Sequence, residues 1–235
     1  LGFVPFGKQI AADRYTYLAC AGWAVLGGAG LTAALRRGRG ALWAAALAAA
    51  VLGTLSWRQT QVWRDTESLW RHAVAIVPDH SVANYALAGV AAQRGRLDEA
   101  VARYRTAIQR DPGFAEAYGN LAGLLLGLGL KDEALGLYRA ALKAKPGYAD
   151  GHYNMANALA ERGDLDESIQ HYREAVRIDP EYAEAYNNMG VMLRRQGKVE
   201  EACAQYRAAL AVRPGYVEAR HNLERLLQKL GRPAR

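Results

Sequence analysis

Proline stands at Pro78, Pro112, Pro146, Pro180 and Pro214, a step of 34 residues repeated without a slip. Glycine keeps the same step at Gly95, Gly129, Gly163, Gly197 and Gly231, tyrosine at Tyr104, Tyr138, Tyr172 and Tyr206, and alanine at Ala107, Ala141, Ala175 and Ala209. A chain tied to one period places equivalent residues in equivalent surroundings again and again, so it must fold as a stack of like units.

Each unit reads as a helical hairpin. In residues 149–182 a first apolar helix runs to Gly163, where a residue without Cβ takes a left-handed turn at little cost. The segment DLDES then starts a second helix with acidic residues at its positive end, and Pro180 stops it. Small residues fall where the two helices must touch: Ala88, Ala122, Ala156 and Gly190 on the first, Ala100, Ala134, Ser168 and Ala202 on the second. Leu87, Leu121, Met155, Met189 and the tyrosines fill the space between neighbours, so a hairpin completes its core only when stacked. This pattern resembles the tetratricopeptide repeat, with units at 81–114, 115–148, 149–182 and 183–216. Residues 62–80 match only a second helix, a half repeat with Trp70 and Ala73 in phase, and 217–231 only a first, a capping helix with a polar outer face.

Ahead of the repeats, residues 15–35 and 40–57 carry no charge, and helices of such length approach the thickness of a bilayer core. The expected fold is therefore all-α: two transmembrane helices followed by a right-handed α-solenoid of tetratricopeptide repeats. The short loop at 36–39, with Arg36, Arg37 and Arg39, would be cytoplasmic by the positive-inside rule. Residues 1–14 would then be the remnant of an extracytoplasmic loop. The repeat array would face the periplasm or lumen, anchored to an integral membrane segment. A shorter, cleaved signal is the competing reading of the first segment, but it would follow a basic start rather than the aromatic LGFVPFGKQIAADRY. That beginning reads as the C-terminal piece of a longer protein.

Charge narrows the partners. Residues 1–60 hold six Lys or Arg against one Asp, whereas the other 175 residues hold 24 against 22, so most of the net +7, a balance of +5, belongs to the membrane flanks. A phosphate-binding face loses its support and nucleic acid is excluded as a partner. The two cysteines, Cys20 and Cys203, are too far apart in sequence to suggest pairing, and the five histidines show no ligand spacing. No metal, cofactor or catalytic residue is expected.

Binding would fall on the first helices, which line the inner surface of such a solenoid. Asn120, Asn154, Asn188 and Asn222 recur there, and a row of carboxamides can donate to and accept from the backbone of an extended peptide whatever its sequence. The alternative is that each asparagine braces the repeat by bonding a neighbour. Tyr85, Tyr153, Asn187 and His221 share that face, and Glu116, Asp150, Glu184 and Glu218 form an acidic edge that suits a peptide with some positive charge. Far from it, Arg14 could meet a lipid phosphate or serve as an interfacial anchor.

Two family resemblances follow from particular stretches. The run YADGHYNMANALAERGDLDESIQHYREAVRIDPEYAEAYNNMGV is similar to the repeats of O-linked N-acetylglucosamine transferases, which implies that Asn120, Asn154, Asn188 and Asn222 hold a protein substrate. AADRYTYLACAG, the two uncharged segments and VWRDTESLW leading into repeats resemble the end of the transmembrane and tetratricopeptide-repeat O-mannosyltransferases and their bacterial relatives, enzymes that use a lipid-linked sugar. Ala19 and Cys20 depart from that family's proline and serine, and its acidic catalytic motif is missing from this chain. The implied function is a membrane-anchored protein-binding scaffold, the substrate-presenting part of a protein O-glycosyltransferase-like parent. A non-enzymatic adaptor organising a membrane or envelope complex is the competing class.

Overall fold

A computed structural model describes residues 39–62 and 65–231, and the described residues form helices without strands. The chain divides into two compact units, 1–68 and 69–235.

Within the first unit, α1 (Arg39–Val62) is a helix of 24 residues. It covers the second expected span, yet among the described residues no helix is long and apolar enough to cross a membrane. The expectation of two transmembrane helices, and of an array held by them on the periplasmic or lumenal side of a bilayer, is therefore corrected. The reason lies in what fills the uncharged run. Seven of residues 40–57 are alanine, and Gly40, Gly53, Thr54 and Ser56 interrupt the larger side chains. Absence of charge is not the same as apolar surface, because an alanine buries a single methyl group. Beyond it, Arg58 to Gln61 are polar. The span at 15–35, the flanking 1–14 with Arg14, and most of the loop at 36–39 lie outside the described residues.

The helix α2 (Thr66–Ile76) precedes four hairpins. These are α3 (Ser81–Gln93) with α4 (Leu97–Arg110), α5 (Ala115–Gly127) with α6 (Lys131–Ala144), α7 (Ala149–Arg162) with α8 (Leu165–Ile178), and α9 (Ala183–Arg195) with α10 (Val199–Val212). A last helix, α11 (Val217–Lys229), packs on α10 and also touches α9. First helices of some neighbouring hairpins meet one another as well, α5 with α7 among them.

The periodic residues explain the hairpins. Gly95, Gly129, Gly163, Gly197 and Gly231 all have positive φ, the conformation that glycine enters without a Cβ penalty. The residue before each proline is pushed away from helical ψ by the ring that follows it. Asp111, Lys145, Asp179 and Arg213 accordingly share an extended backbone, with φ of −130, −140, −124 and −132°. Their side chains thus recur in one position at the mouth of each repeat.

Small side chains set the distance between paired helices. Ala88, Ala122, Ala156, Ala100, Ala134, Ser168 and Ala202 are all fully buried. Ser168 offsets the cost of a buried hydroxyl by donating to the Ala156 carbonyl oxygen at 2.8 Å. Gly190 takes the place that alanine holds in the other hairpins, and a Cβ there would stand 2.7 Å from the Tyr206 ring. Tyr172 and Tyr206, essentially unexposed, fill the gaps between hairpins.

Candidate peptide-binding face

The four recurrent asparagines sit on α5, α7, α9 and α11, and they are not equivalent. Asn120 donates its Nδ2–H to the Tyr85 hydroxyl at 2.9 Å, Asn188 to the Tyr153 hydroxyl at 3.1 Å, and Asn222 to Asn187 Oδ1 at 2.9 Å. Each partner lies 35 residues earlier, on the first helix of the preceding repeat. By that rule Asn154 would bond residue 119. Residue 119 is glycine, which has nothing to offer. Asn154 is half-buried, and its side chain makes no hydrogen bond with the described residues.

A carboxamide has two N–H donors and an oxygen acceptor, so the remaining capacity of each can be counted. Asn188 is committed, since it also donates to Asn157 Oδ1 at 3.3 Å and accepts from Asn187 Nδ2 at 3.1 Å. Asn222 keeps an oxygen and one N–H, whereas Asn120, drawn also to the Tyr104 hydroxyl, keeps its oxygen. Asn154 keeps everything.

Aromatic rings line the same edge, and they too recur with the 34-residue period. Phe114, Tyr148, Tyr182 and Tyr216 stand just before each first helix. Phe114 packs on Tyr85 with centroids 4.7 Å apart, and Tyr182 stacks on Tyr153 at 4.8 Å. Tyr148 has no tyrosine to meet, and its ring instead covers Gly119, where an added Cβ would be 3.5 Å away. Burial raises the Tyr85 hydroxyl above its ordinary pKa, an effect that the bond from Asn120 moderates.

The acidic edge is neutralised from within at two of its four positions. Glu116 accepts from Lys145 Nζ at 2.7 Å, and Glu184 takes both guanidinium arms of Arg213 at 2.6 and 3.2 Å. Partial burial pushes Glu116 upward, but the Lys145 bond and the backbone outweigh it and hold the carboxyl below its usual range. The Arg213 bond does the same for Glu184. Each cation also lies over the next tyrosine, Lys145 at 5.1 Å from the Tyr148 centroid and Arg213 at 5.3 Å from that of Tyr216.

Of the other residues singled out, Tyr85 and Tyr153 serve as acceptors for the asparagines, Asn187 is buried between Asn188 and Asn222, and His221 is exposed. Sequence spacing missed one contact. His152 and His171, on the two helices of one hairpin, face each other with Nδ1 atoms 3.0 Å apart. His152 Nε2 lies 3.2 Å from the Pro146 carbonyl oxygen, which can only accept, so His152 carries its proton on Nε2 and receives one from His171 at Nδ1. Among the described residues no group of three or more His, Cys, Asp or Glu could hold a metal ion.

The fold and its repeats define the class. Tetratricopeptide repeat models match residues 67–113, 85–149, 137–170 and 183–216, and a TPR repeat model matches 156–193. The array is built of tetratricopeptide repeats and has the fold of protein-binding scaffolds of that kind. Among curated proteins the chain is similar to Protein O-mannosyl-transferase Tmtc2 of Drosophila melanogaster, 35% identical over 115 residues, 46% of this chain. It is also similar to Protein O-mannosyl-transferase TMTC1 of Mus musculus, 32% identical over 114 residues, again 46% of this chain. The chain matches only 12% of the length of either relative. Among solved structures it resembles YrrB, described as a TPR protein with an unusual peptide-binding site, with a TM-score of 0.60 and 21% identity over 70% of this chain and 85% of that one. It also resembles MamA, with a TM-score of 0.59 and 18% identity over 64% of this chain and 82% of that one. Those likenesses concern the fold.

Proposed function

We propose that the array holds an extended peptide segment of a partner protein by its backbone, along the first helices, and that Asn154 is the strongest contact. The observation that carries this reading is the unused carboxamide of Asn154, set in a row where its counterparts are engaged by the chain itself. Asn222 adds one donor and one acceptor and Asn120 an acceptor, while Asn188 braces the stack. The peptide binding named for YrrB supports the reading, as does the general use of backbone pairing to hold peptides of varied sequence.

The likeness to the two O-mannosyl-transferases supports a further step: the array presents protein substrate in a glycosyltransferase-like parent. Transfer of a sugar to oxygen needs a hydroxyl acceptor, so the segments bound would contain Ser or Thr. An immobilised peptide screen with the full chain, followed by calorimetry on Asn154→Ala and Asn188→Ala, tests both steps. Loss of one or two unreplaced hydrogen bonds should weaken binding by Asn154→Ala about three- to tenfold, with an unchanged melting temperature. Equal affinity for wild type and Asn154→Ala would overturn the backbone reading. Selected segments devoid of Ser and Thr would remove the case for substrate presentation and favour a non-enzymatic adaptor.

A further inference from the structure

Two repeats of this array contain an occupied cation site, built from an acid at the start of the first helix, a cation from the residue before proline, and an aromatic ring at the end of the repeat. The second repeat uses Glu116, Tyr148 and Lys145; the fourth uses Glu184, Tyr216 and Arg213. The third repeat keeps the acid, Asp150, and the ring, Tyr182, but its residue before proline is Asp179. An anion stands where its counterparts place a cation.

That substitution leaves an excess of negative charge beside the one asparagine without a partner. Asp150, Asp179 and Glu181 are all exposed, and they line an open depression of about 440 Å³ together with Tyr182, Glu184 and Arg213. Arg213 is already engaged by Glu184 through both arms. The Tyr182 hydroxyl donates to Asp150 Oδ1 at 3.0 Å, which leaves the second carboxylate oxygen available, and burial, with the Asp150 charge behind it, raises the tyrosine far above its ordinary pKa. Asp179 uses its Oδ1 to accept the Glu181 backbone N–H at 3.0 Å.

We infer that this depression receives an arginine or lysine side chain of the bound peptide, which takes the place that Lys145 and Arg213 fill in the neighbouring repeats. The inference rests on the peptide-binding reading above and adds a sequence preference to it. A guest cation would pair with Asp150 and Asp179 and lie over the Tyr182 ring, as the chain's own cations lie over Tyr148 and Tyr216. Asp150 and Asn154 are both on α7, one helical turn apart, so the basic side chain and the peptide amide held by Asn154 belong to the same short stretch of partner.

The test uses the full chain and two blocked nonapeptides, identical except that one carries a central arginine and the other citrulline, its neutral isostere. An exposed ion pair and a cation over a ring together favour the arginine peptide by roughly five- to tenfold at low salt, with the preference shrinking as salt rises. Asp179→Lys restores the pattern of the neighbouring repeats. Its backbone suits lysine, since Lys145 has the same extended conformation. The variant should abolish the preference for the arginine peptide over the citrulline peptide. Equal binding of the two peptides by wild type overturns the cation site while the backbone reading stands. If neither peptide binds, the backbone reading fails, and the cation site is judged by Nα-acetylarginine amide, which has no extended backbone. Amide shifts at Asp150, Asp179 and Tyr182 that vanish in Asp179→Lys sustain it, and their absence overturns it.

Discussion

The junction between the third and fourth hairpins and the junction between the second and third present the same asparagine at the same repeat position. At the former, Asn188 is tied to Tyr153 and Asn157 and accepts from Asn187. At the latter, the residue 35 positions before Asn154 is Gly119, and the Asn154 side chain stays free of the described protein. What an asparagine does here is therefore decided by the residue 35 positions before it and not by its own recurrence. Bracing and binding are two outcomes of one position.

The largest effect should erase the comparison altogether. Ala141 is fully buried in α6 at the helix crossing, and Ala141→Trp forces a large ring into filled space at a cost of roughly 1 to 3 kcal/mol or more. Because stacked hairpins share their interfaces, both junctions should loosen together. A thermal melt of the variant that matches wild type would contradict the packing described for α6.

Next in size, Asn188→Ala removes bonds to Tyr153 and Asn157 and strands the amide of Asn187, which is only 6% exposed. Such a loss costs about 1 to 3 kcal/mol, whereas Asn154→Ala, with no bond to lose, should stay within roughly 0.5 kcal/mol. Chemical denaturation of the two variants separates brace from contact. Equal losses would make the junctions equivalent after all.

Acid should act on α7 and α8, the hairpin that serves both junctions. Burial and the facing His152 hold His171 below its ordinary pKa, with Arg139 adding to this and Glu167 and Glu174 opposing it. The folded state thus binds fewer protons on His171 than the unfolded chain does. Its contribution is fully present above the ordinary histidine pKa and is lost as pH falls through it toward the lowered folded value. Melting temperatures taken from pH 7.5 down to 5 should fall more steeply for wild type than for His171→Asn. Parallel curves would show that the pair does not report on pH.

The smallest effect sharpens the comparison most. Gly119→Asn supplies the partner that Asn187 provides for Asn222, and its Cβ would find ordinary contact with Tyr148 at 3.5 Å. A gained hydrogen bond and better helix propensity should stabilise by about 0.5 to 1 kcal/mol. Peptide affinity should fall as Asn154 becomes occupied. A stabilised variant that binds peptide as before would place the contact elsewhere.

Much of this was open to a reader of the sequence. The hairpins, their glycine turns and the buried alanines were legible because each packing constraint is repeated, so chance resemblance at one position cannot imitate it. The helix at 39–62 was misjudged because a count of uncharged residues ignores how little surface alanine contributes. The unequal asparagines were also written in the chain, but in pairs: Asn120 with Tyr85, Asn188 with Tyr153, Asn154 with Gly119. A search within single repeats passes over such pairs. His152 and His171 could not be found that way either, since their meeting depends on the angle between two helices.

The bond that crosses 35 residues gives the order of the repeats a meaning of its own. Tandem repeats are lost and gained by unequal crossing-over, in whole units. Excision of residues 115–148 would bring Tyr85 into the place of Gly119 and close off Asn154, while excision of 149–182 would set Asn188 behind Gly119 and release it. The free carboxamide is thus inherited by whichever repeat follows the glycine, and recombination between units could move or erase a binding position without altering a single codon.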